Sequence, residues 1–189
     1  MELIPVFEIG LWNAWIFMLY YLLTMPLLRL LSKDALEKSD VAAPKHLYTK
    51  TENRIVSFYQ YSFIPAFIYS IFLPLKLGTV WFYTGLPICL LGLALLTIAY
   101  LNFSVAPLGE PLTTGLHRYS RHPVYLTQFI FFTGIGIASA SWVFLLFTIV
   151  RTIASFMLAM PEERFCLEKY GDAYRQYIER TPRWLGLPG

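Results

Sequence analysis

Apolar runs close to membrane-crossing length, divided by short polar or helix-breaking segments, set the narrowest limit on how this chain can fold. About 20 apolar residues in helical form cross ~30 Å of hydrocarbon, and inside that layer every backbone N–H and C=O must be bonded internally. Helices meet both demands. Runs at about Leu11–Leu31, Ile55–Leu75, Thr79–Leu101, Val124–Ala138 and Trp142–Met160 therefore predict five spans. Composition agrees: 57% of the 189 residues are hydrophobic, only 14% are charged, and the mean hydropathy is +0.53, outside the range of soluble globular domains.

The expected fold is an all-α integral membrane protein forming one membrane domain over residues 1–189. Three spans occupy 1–101 around a polar loop at 32–54; a loop, a helical hairpin and short cytosolic C-terminal helices occupy 102–189. Pro26 is expected to kink the end of the first span. The short turn Lys76-Leu77-Gly78 makes the second and third spans antiparallel neighbours, and Ser139-Ala140-Ser141 closes the last hairpin. Its first arm is short at ~22 Å unless Arg121 to Pro123 join it, which puts Arg121 and His122 near headgroup level and close to lipid. Gly134, Gly136 and Ala138 give a small-residue spacing suited to close helix packing within the chain.

Charge excludes several functions and orients the chain. A net charge of +3, dispersed along the sequence, does not suit nucleic acid. Cys89 and Cys166 are too few for a disulfide framework, and no metal-ligand spacing is present. Glu2 and Glu8 precede the first run without any Lys or Arg, so that run is expected to stay as a span rather than be cleaved as a signal peptide. Lys33 to Arg54, Arg118, Arg121 and the basic residues of the tail fall on one side, against Lys76 on the other, which predicts a multi-pass protein with that side in the cytosol. His46 in the polar loop has no partner pattern and is expected to be exposed. Arg151 falls inside the fifth span, where it must face the bundle, either paired with a carbonyl or as part of a site.

Between Pro107, Gly109, Pro111 and Gly115, which break helices, and the fourth span lies Thr113–Tyr125, with two arginines, two histidines and two tyrosines at an apolar border. Such groups are costly there unless paired, solvated or bound, so the cluster is a candidate site. At the other end of the hairpin, Met160-Pro161-Glu162-Glu163 has the pattern of a helix start, with proline and acids in the first turn. Both pairs, Arg121-His122 and Glu162-Glu163, then share one mouth, and two cations facing two anions suit a zwitterionic ligand. In the tail, Gly171 is expected to stop one helix and Asp172 to cap the next, with Phe165, Tyr170, Tyr174, Tyr177 and Trp184 at the interface or over a pocket.

Gly115-Leu-His-Arg-Tyr-Ser-Arg-His-Pro-Val-Tyr125, the following hairpin, Glu162-Glu163 with Cys166-Leu-Glu-Lys-Tyr-Gly-Asp-Ala-Tyr-Arg-Gln-Tyr177, and Thr181-Pro-Arg-Trp184 together resemble the C-terminal signature of the isoprenylcysteine carboxyl methyltransferase and phospholipid methyltransferase superfamily. The resemblance covers about the last eighty residues, in order and spacing. It implies S-adenosylmethionine as cofactor, and a lipid-like or prenylated acceptor taken from the bilayer, through a carboxylate, amine or thiol. It places Arg121, His122, Tyr125, Glu162 and Glu163 in the cofactor-binding set; the neighbouring His117 and Tyr119 are further candidates for binding, and Arg121 and Arg151 are the candidate catalytic residues. Members that methylate isoprenylcysteine often carry an arginine within a turn of the paired acids; Phe156 to Met160 supplies none here. Two rivals remain open: an NADPH-dependent sterol-type reductase, which the tail also resembles, and a non-catalytic membrane protein that kept the fold. The reductase pattern has Asn after the proline and Gly-Glu after the tyrosine, where this chain has Val124 and Leu126-Thr127.

A cysteine placed at Lys76 is expected to be labelled from outside the cell and one at Lys45 from inside. Labelling of both from one side contradicts the five-span topology.

Overall fold

A computed structural model describes residues 8–31, 48–104 and 109–187, the side chains of 25–31 excepted. Glu2, the loop residues 32–47 with His46, and Pro107 lie outside the described residues. The helices are α1 (Trp15–Leu31), α2 (Lys50–Tyr61), α3 (Phe63–Ile71), α4 (Val80–Ser104), α5 (Pro123–Ala138), α6 (Trp142–Tyr170) and α7 (Asp172–Arg180), with a 3-10 turn at Gly115–Arg118 before α5. Among the described residues the nearest thing to a strand is a bridge between Asn13 and Pro74. The all-helical expectation is therefore met. Of the five expected spans, α4 and α6 are long and apolar enough to cross a membrane, while α5 and Trp15–Thr24 are apolar but shorter.

Three boundaries differ from the sequence expectation, each for a local reason. The first helix begins at Trp15, because the preceding residues pair with the segment after α3: Ala14 N–H donates to the Leu73 carbonyl at 2.9 Å and Leu75 N–H to that of Trp12 at 3.0 Å. The second run is broken between α2 and α3 at Ser62, where Pro65 has no N–H to offer the Tyr61 carbonyl and its ring crowds it. It also starts earlier than expected, at Lys50, through a capping box in which Thr49 and Glu52 satisfy each other's backbone N–H groups. The third difference is the largest. Helix α6 does not stop at Met160; it continues through Pro161 to Tyr170, so Glu162 and Glu163 sit inside a helix rather than at its start. Gly171, with φ +53, ends α6 and flanks α7, and Asp172 is the first residue of α7 rather than its cap.

Helices α4 and α5 meet along a seam of glycines. A Cβ on Gly134 would lie 2.2 Å from the backbone nitrogen of Cys89, and one on Gly85 2.2 Å from that of Ala138. Gly92 closes against Phe131 in the same way. In lipid, where apolar contact with the solvent costs little, such backbone approach and van der Waals packing hold helices together. The expected small-residue spacing on α5 is thus used within the chain, but on two partners: Gly134 faces α4, whereas Gly136 faces Leu145 of α6. Phe131, Phe132, Ile135 and Phe144 fill the space between α5, α6 and Met18 of α1. At one end of this bundle the Lys76 N–H bonds the Ala138 carbonyl at the C-terminus of α5; the candidate site lies at the opposite end, where α5 begins.

Gly134→Ala is expected to lower stability in detergent by about 1–3 kcal/mol, because only a backbone shift relieves the clash. Gly136→Ala meets the flexible end of Leu145 and is expected to cost less. Equal melting of the two variants contradicts the seam.

Candidate functional site

The chain enters α5 through a segment pinned from both sides. The Ser120 hydroxyl accepts from the His122 N–H at 3.0 Å, His122 is the N-cap, and Pro123 opens the helix where a missing N–H costs nothing. Pro123 thus joins the helix and Arg121 does not. The segment after α7 runs back along this entry: Arg121 N–H bonds the Pro182 carbonyl and Gly186 N–H that of Tyr119, both at 3.1 Å, and Ser120 donates to the Arg183 carbonyl. From α7 the Tyr177 hydroxyl donates to the His117 carbonyl at 2.7 Å. The aromatic tail therefore covers the site.

Because α6 extends past Pro161, Glu163 comes to lie under that entry. Its carboxylate takes a two-pronged hydrogen bond from Arg183, at 3.0 and 2.7 Å, and one at 3.2 Å involving His122 Nε2. Arg121 Nε lies 3.3 Å from the same carboxylate. Glu162, one position earlier, pairs at 3.3 Å with His122 Nδ1 and accepts from the Tyr125 hydroxyl. The His122 ring also stacks with Tyr125 and approaches Trp184, which packs on Phe156. Burial would push the His122 pKa down, but its two carboxylate partners outweigh burial and hold it above the ordinary value. His117 lacks such partners: burial first, then the charge of His122, pull it down to about 4, so it is neutral at neutral pH.

The structure gathers five of the expected site residues: Arg121, His122, Tyr125, Glu162 and Glu163. Arg121 and His122 are buried in protein, not laid against lipid as their position in sequence suggested. The cations and anions pair directly with one another. His117 is buried nearby against Phe103 and joins through its backbone, and Tyr119 is exposed and turns away, contributing its carbonyl to the tail. Arg151 stands apart in the bundle, donating to the Tyr59 carbonyl and to Ser62, so its structural pairing is real. Arg183 is a site residue that the sequence does not single out; its place in the Thr181-Pro-Arg-Trp184 motif is the one signal that points to it.

Arg121 carries the observation that bears on a ligand. Its Nε and Nη1 are buried without a hydrogen-bond acceptor, although Glu163 is close enough to balance their charge. Buried donors of this kind fit an incoming carboxylate, and Glu162, Tyr125 and Trp184 beside them offer an acid and aromatic faces to a cation.

A family described as phospholipid methyltransferase matches residues 99–173, a stretch that holds every expected site residue. Methanethiol S-methyltransferase 1 of Bradyrhizobium diazoefficiens is 38% identical over 69 residues, which is 36% of this chain and 24% of that protein. Over this stretch the chain is similar to these methyltransferases, and it spans about a quarter of the length of the Bradyrhizobium protein. The methyltransferase stretch thus includes α5 and α6 with both mouth pairs, while the tail residues Arg183 and Trp184 lie beyond it.

Glu163→Gln is expected to lower stability by about 2 kcal/mol, less than the full cost of breaking a buried pair because Arg183 is partly solvated. Glu162→Gln is expected to cost less. The His122 pKa is raised on folding, so its contribution is complete below its ordinary 6.5 and is lost as pH rises through the folded value. Melting of the wild type relative to His122→Asn should show that loss; a difference constant with pH contradicts the ion pairing.

Proposed function

We propose that this protein is an S-adenosylmethionine-dependent methyltransferase of the membrane, multi-pass, with its site facing the cytosol. The observation that carries this reading is the pair of buried, unbonded donors on Arg121, set beside the paired acids and inside the methyltransferase-matched stretch. Arg121 would hold the carboxylate of the cofactor's methionine part, Glu162 its ammonium or ribose hydroxyls, and Tyr125 or Trp184 the adenine or sulfonium face. When bound, the cofactor supplies a methyl group on a cationic sulfonium. The chain's residues bind and orient the reactants and exclude water, which is what transfer between a sulfonium and a positioned nucleophile requires. Tail residues 181–186 cover the mouth and serve that exclusion. The acceptor is a carboxylate, amine or thiol on a lipid-like molecule that enters between helices; the name of the Bradyrhizobium relative favours a thiol.

Titration of the purified protein in detergent with S-adenosylmethionine and with NADPH separates this reading from a sterol-type reductase and from a non-catalytic protein. Arg121→Lys is expected to weaken S-adenosylmethionine binding by about 1–3 kcal/mol, because an ammonium cannot reproduce two planar donors. Arg118, three residues earlier and exposed, is expected to tolerate Lys. Equal behaviour of the two variants makes the cluster a membrane anchor, and NADPH binding in place of S-adenosylmethionine selects the reductase.

A further inference from the structure

The donors that carry the functional reading are shut away from water. The side chains of Arg121 and Glu163 are 8% and 7% exposed, and Arg121 Nε and Nη1 are buried. Arg183, forked on the same carboxylate, is 41% exposed and so forms the solvent side of this ion cluster. A carboxylate arriving from water therefore reaches Arg121 only after part of the wall has moved. The helices around it do not move cheaply: α5 and α6 share a buried aromatic core, and α7 is held by buried Tyr174 and Tyr177, the second through its bond to the His117 carbonyl. Residues 182–187, which follow α7, are not helical and are fastened differently. Their ties are the bonds of Arg121 N–H to Pro182, Gly186 N–H to Tyr119 and the Ser120 hydroxyl to Arg183, the Arg183 fork, and Trp184 against Phe156 and His122. Leu185 and Leu187 are 78% and 88% exposed, so lifting this segment uncovers the Trp184 ring and little other apolar surface.

Opening such a segment costs little. Its backbone bonds are exchanged for bonds to water, a partly solvated ion pair contributes modestly, and regions with few buried apolar contacts open locally well below the free energy of global unfolding. The buried acid is not stranded either. Arg183 Nε shares Oε1 of Glu163 with His122, and Arg121 lies 3.3 Å from that same oxygen, so two cations stay beside the carboxylate when Arg183 leaves. A hinge stands at the start of the segment: buried Thr181 ends α7 with its N–H on the Tyr177 carbonyl and an extended backbone, and Pro182 after it has no N–H to tie it down. We propose that residues 182–187 are a hinged strap latched by the Arg183–Glu163 pair, and that the strap opens to admit a carboxylate-bearing ligand to Arg121 and to release it. The ligand's identity, S-adenosylmethionine, rests on the methyltransferase reading. To that reading the strap adds a gate on the aqueous side, separate from the path of an acceptor that enters between helices.

The test is hydrogen exchange of the full chain in detergent, read by mass spectrometry and corrected for intrinsic rates, with the α7 peptide as internal reference. The Gly186 and Arg121 amides report the strap, because they bond across it in opposite directions. In the wild type, peptide 182–187 is expected to exchange about ten-fold faster than α7. Arg183→Gln is expected to speed exchange in that peptide and in the one holding Arg121 about five-fold further, with α7 unchanged. Equal protection of strap and α7, or no change in Arg183→Gln, overturns the proposal. If Arg183→Gln does not fold, α7 loses its protection too, and Arg183→Lys, which keeps the charge without the fork, decides by the same criteria. Stopped-flow binding of S-adenosylmethionine, followed by tryptophan emission, then reads the gate itself. Loss of the latch is expected to raise association and dissociation rates together by about five-fold, whereas a merely structural Arg183 leaves association unchanged or slows it, which overturns the gate. If the strap exchanges as expected but S-adenosylmethionine does not bind the wild type, the methyltransferase reading fails and the strap stands.

Discussion

The carboxylate of Glu163 is the constraint on which this end of the molecule depends. It is a buried acid with cationic neighbours from separate parts of the chain: Arg121 and His122 from the entry to α5, and Arg183 from the tail. A carboxylate taken out of water is tolerable only when so surrounded, and each cation is tolerable for the same reason. The pairing therefore fixes three positions together. Helix α6 must continue beyond the apolar run far enough to bring Glu163 under the α5 entry, and the tail must fold back to deliver Arg183. The backbone bonds from Arg121 to Pro182 and from Gly186 to Tyr119 then hold the cover in place.

Sequence made much of this visible and hid the rest for identifiable physical reasons. Apolar run length located the helices, and the glycine spacing on α5 foretold close packing. The concentration of Arg121, His122, Glu162 and Glu163 at two borders of one hairpin marked the site. Pro161 misled, because proline followed by two acids is the chemistry of a helix start. Here the ring is fully buried and α6 continues through it, as neighbouring packing in membrane bundles permits. Spacing alone could not reveal that Tyr119 turns outward while Tyr125, six residues on, turns inward, since the non-helical link Ser120 to His122 between them breaks the helical phase. Tyr59 gave no signal at all: its importance comes from a contact with Arg151 across 92 positions of chain.

Two cationic centres of different character follow from the same packing. Arg121 at the mouth is balanced by Glu163 and keeps two donors free; Arg151 in the bundle is balanced by neutral oxygens and aromatic faces. Tyr125 links them. The glycine seam between α4 and α5 fixes the backbone from which Tyr125, Gln128 and Phe132 project, so the spacing of the two centres is set by rigid helices rather than by loops. The proposed methyl transfer, in which a charged donor and a nucleophile would have to meet in line, would gain from this rigidity, since positioning is the larger part of such catalysis.

Ultraviolet crosslinking of S-adenosylmethionine carrying a radioactive methyl group, followed by peptide mapping, tests the central claim most directly. The account predicts saturable label on peptides that contain Arg121 to Tyr125 or Glu162 to Trp184, displaced by unlabelled S-adenosylhomocysteine. Saturable label confined to other helices, or label that no excess of unlabelled compound displaces, contradicts it.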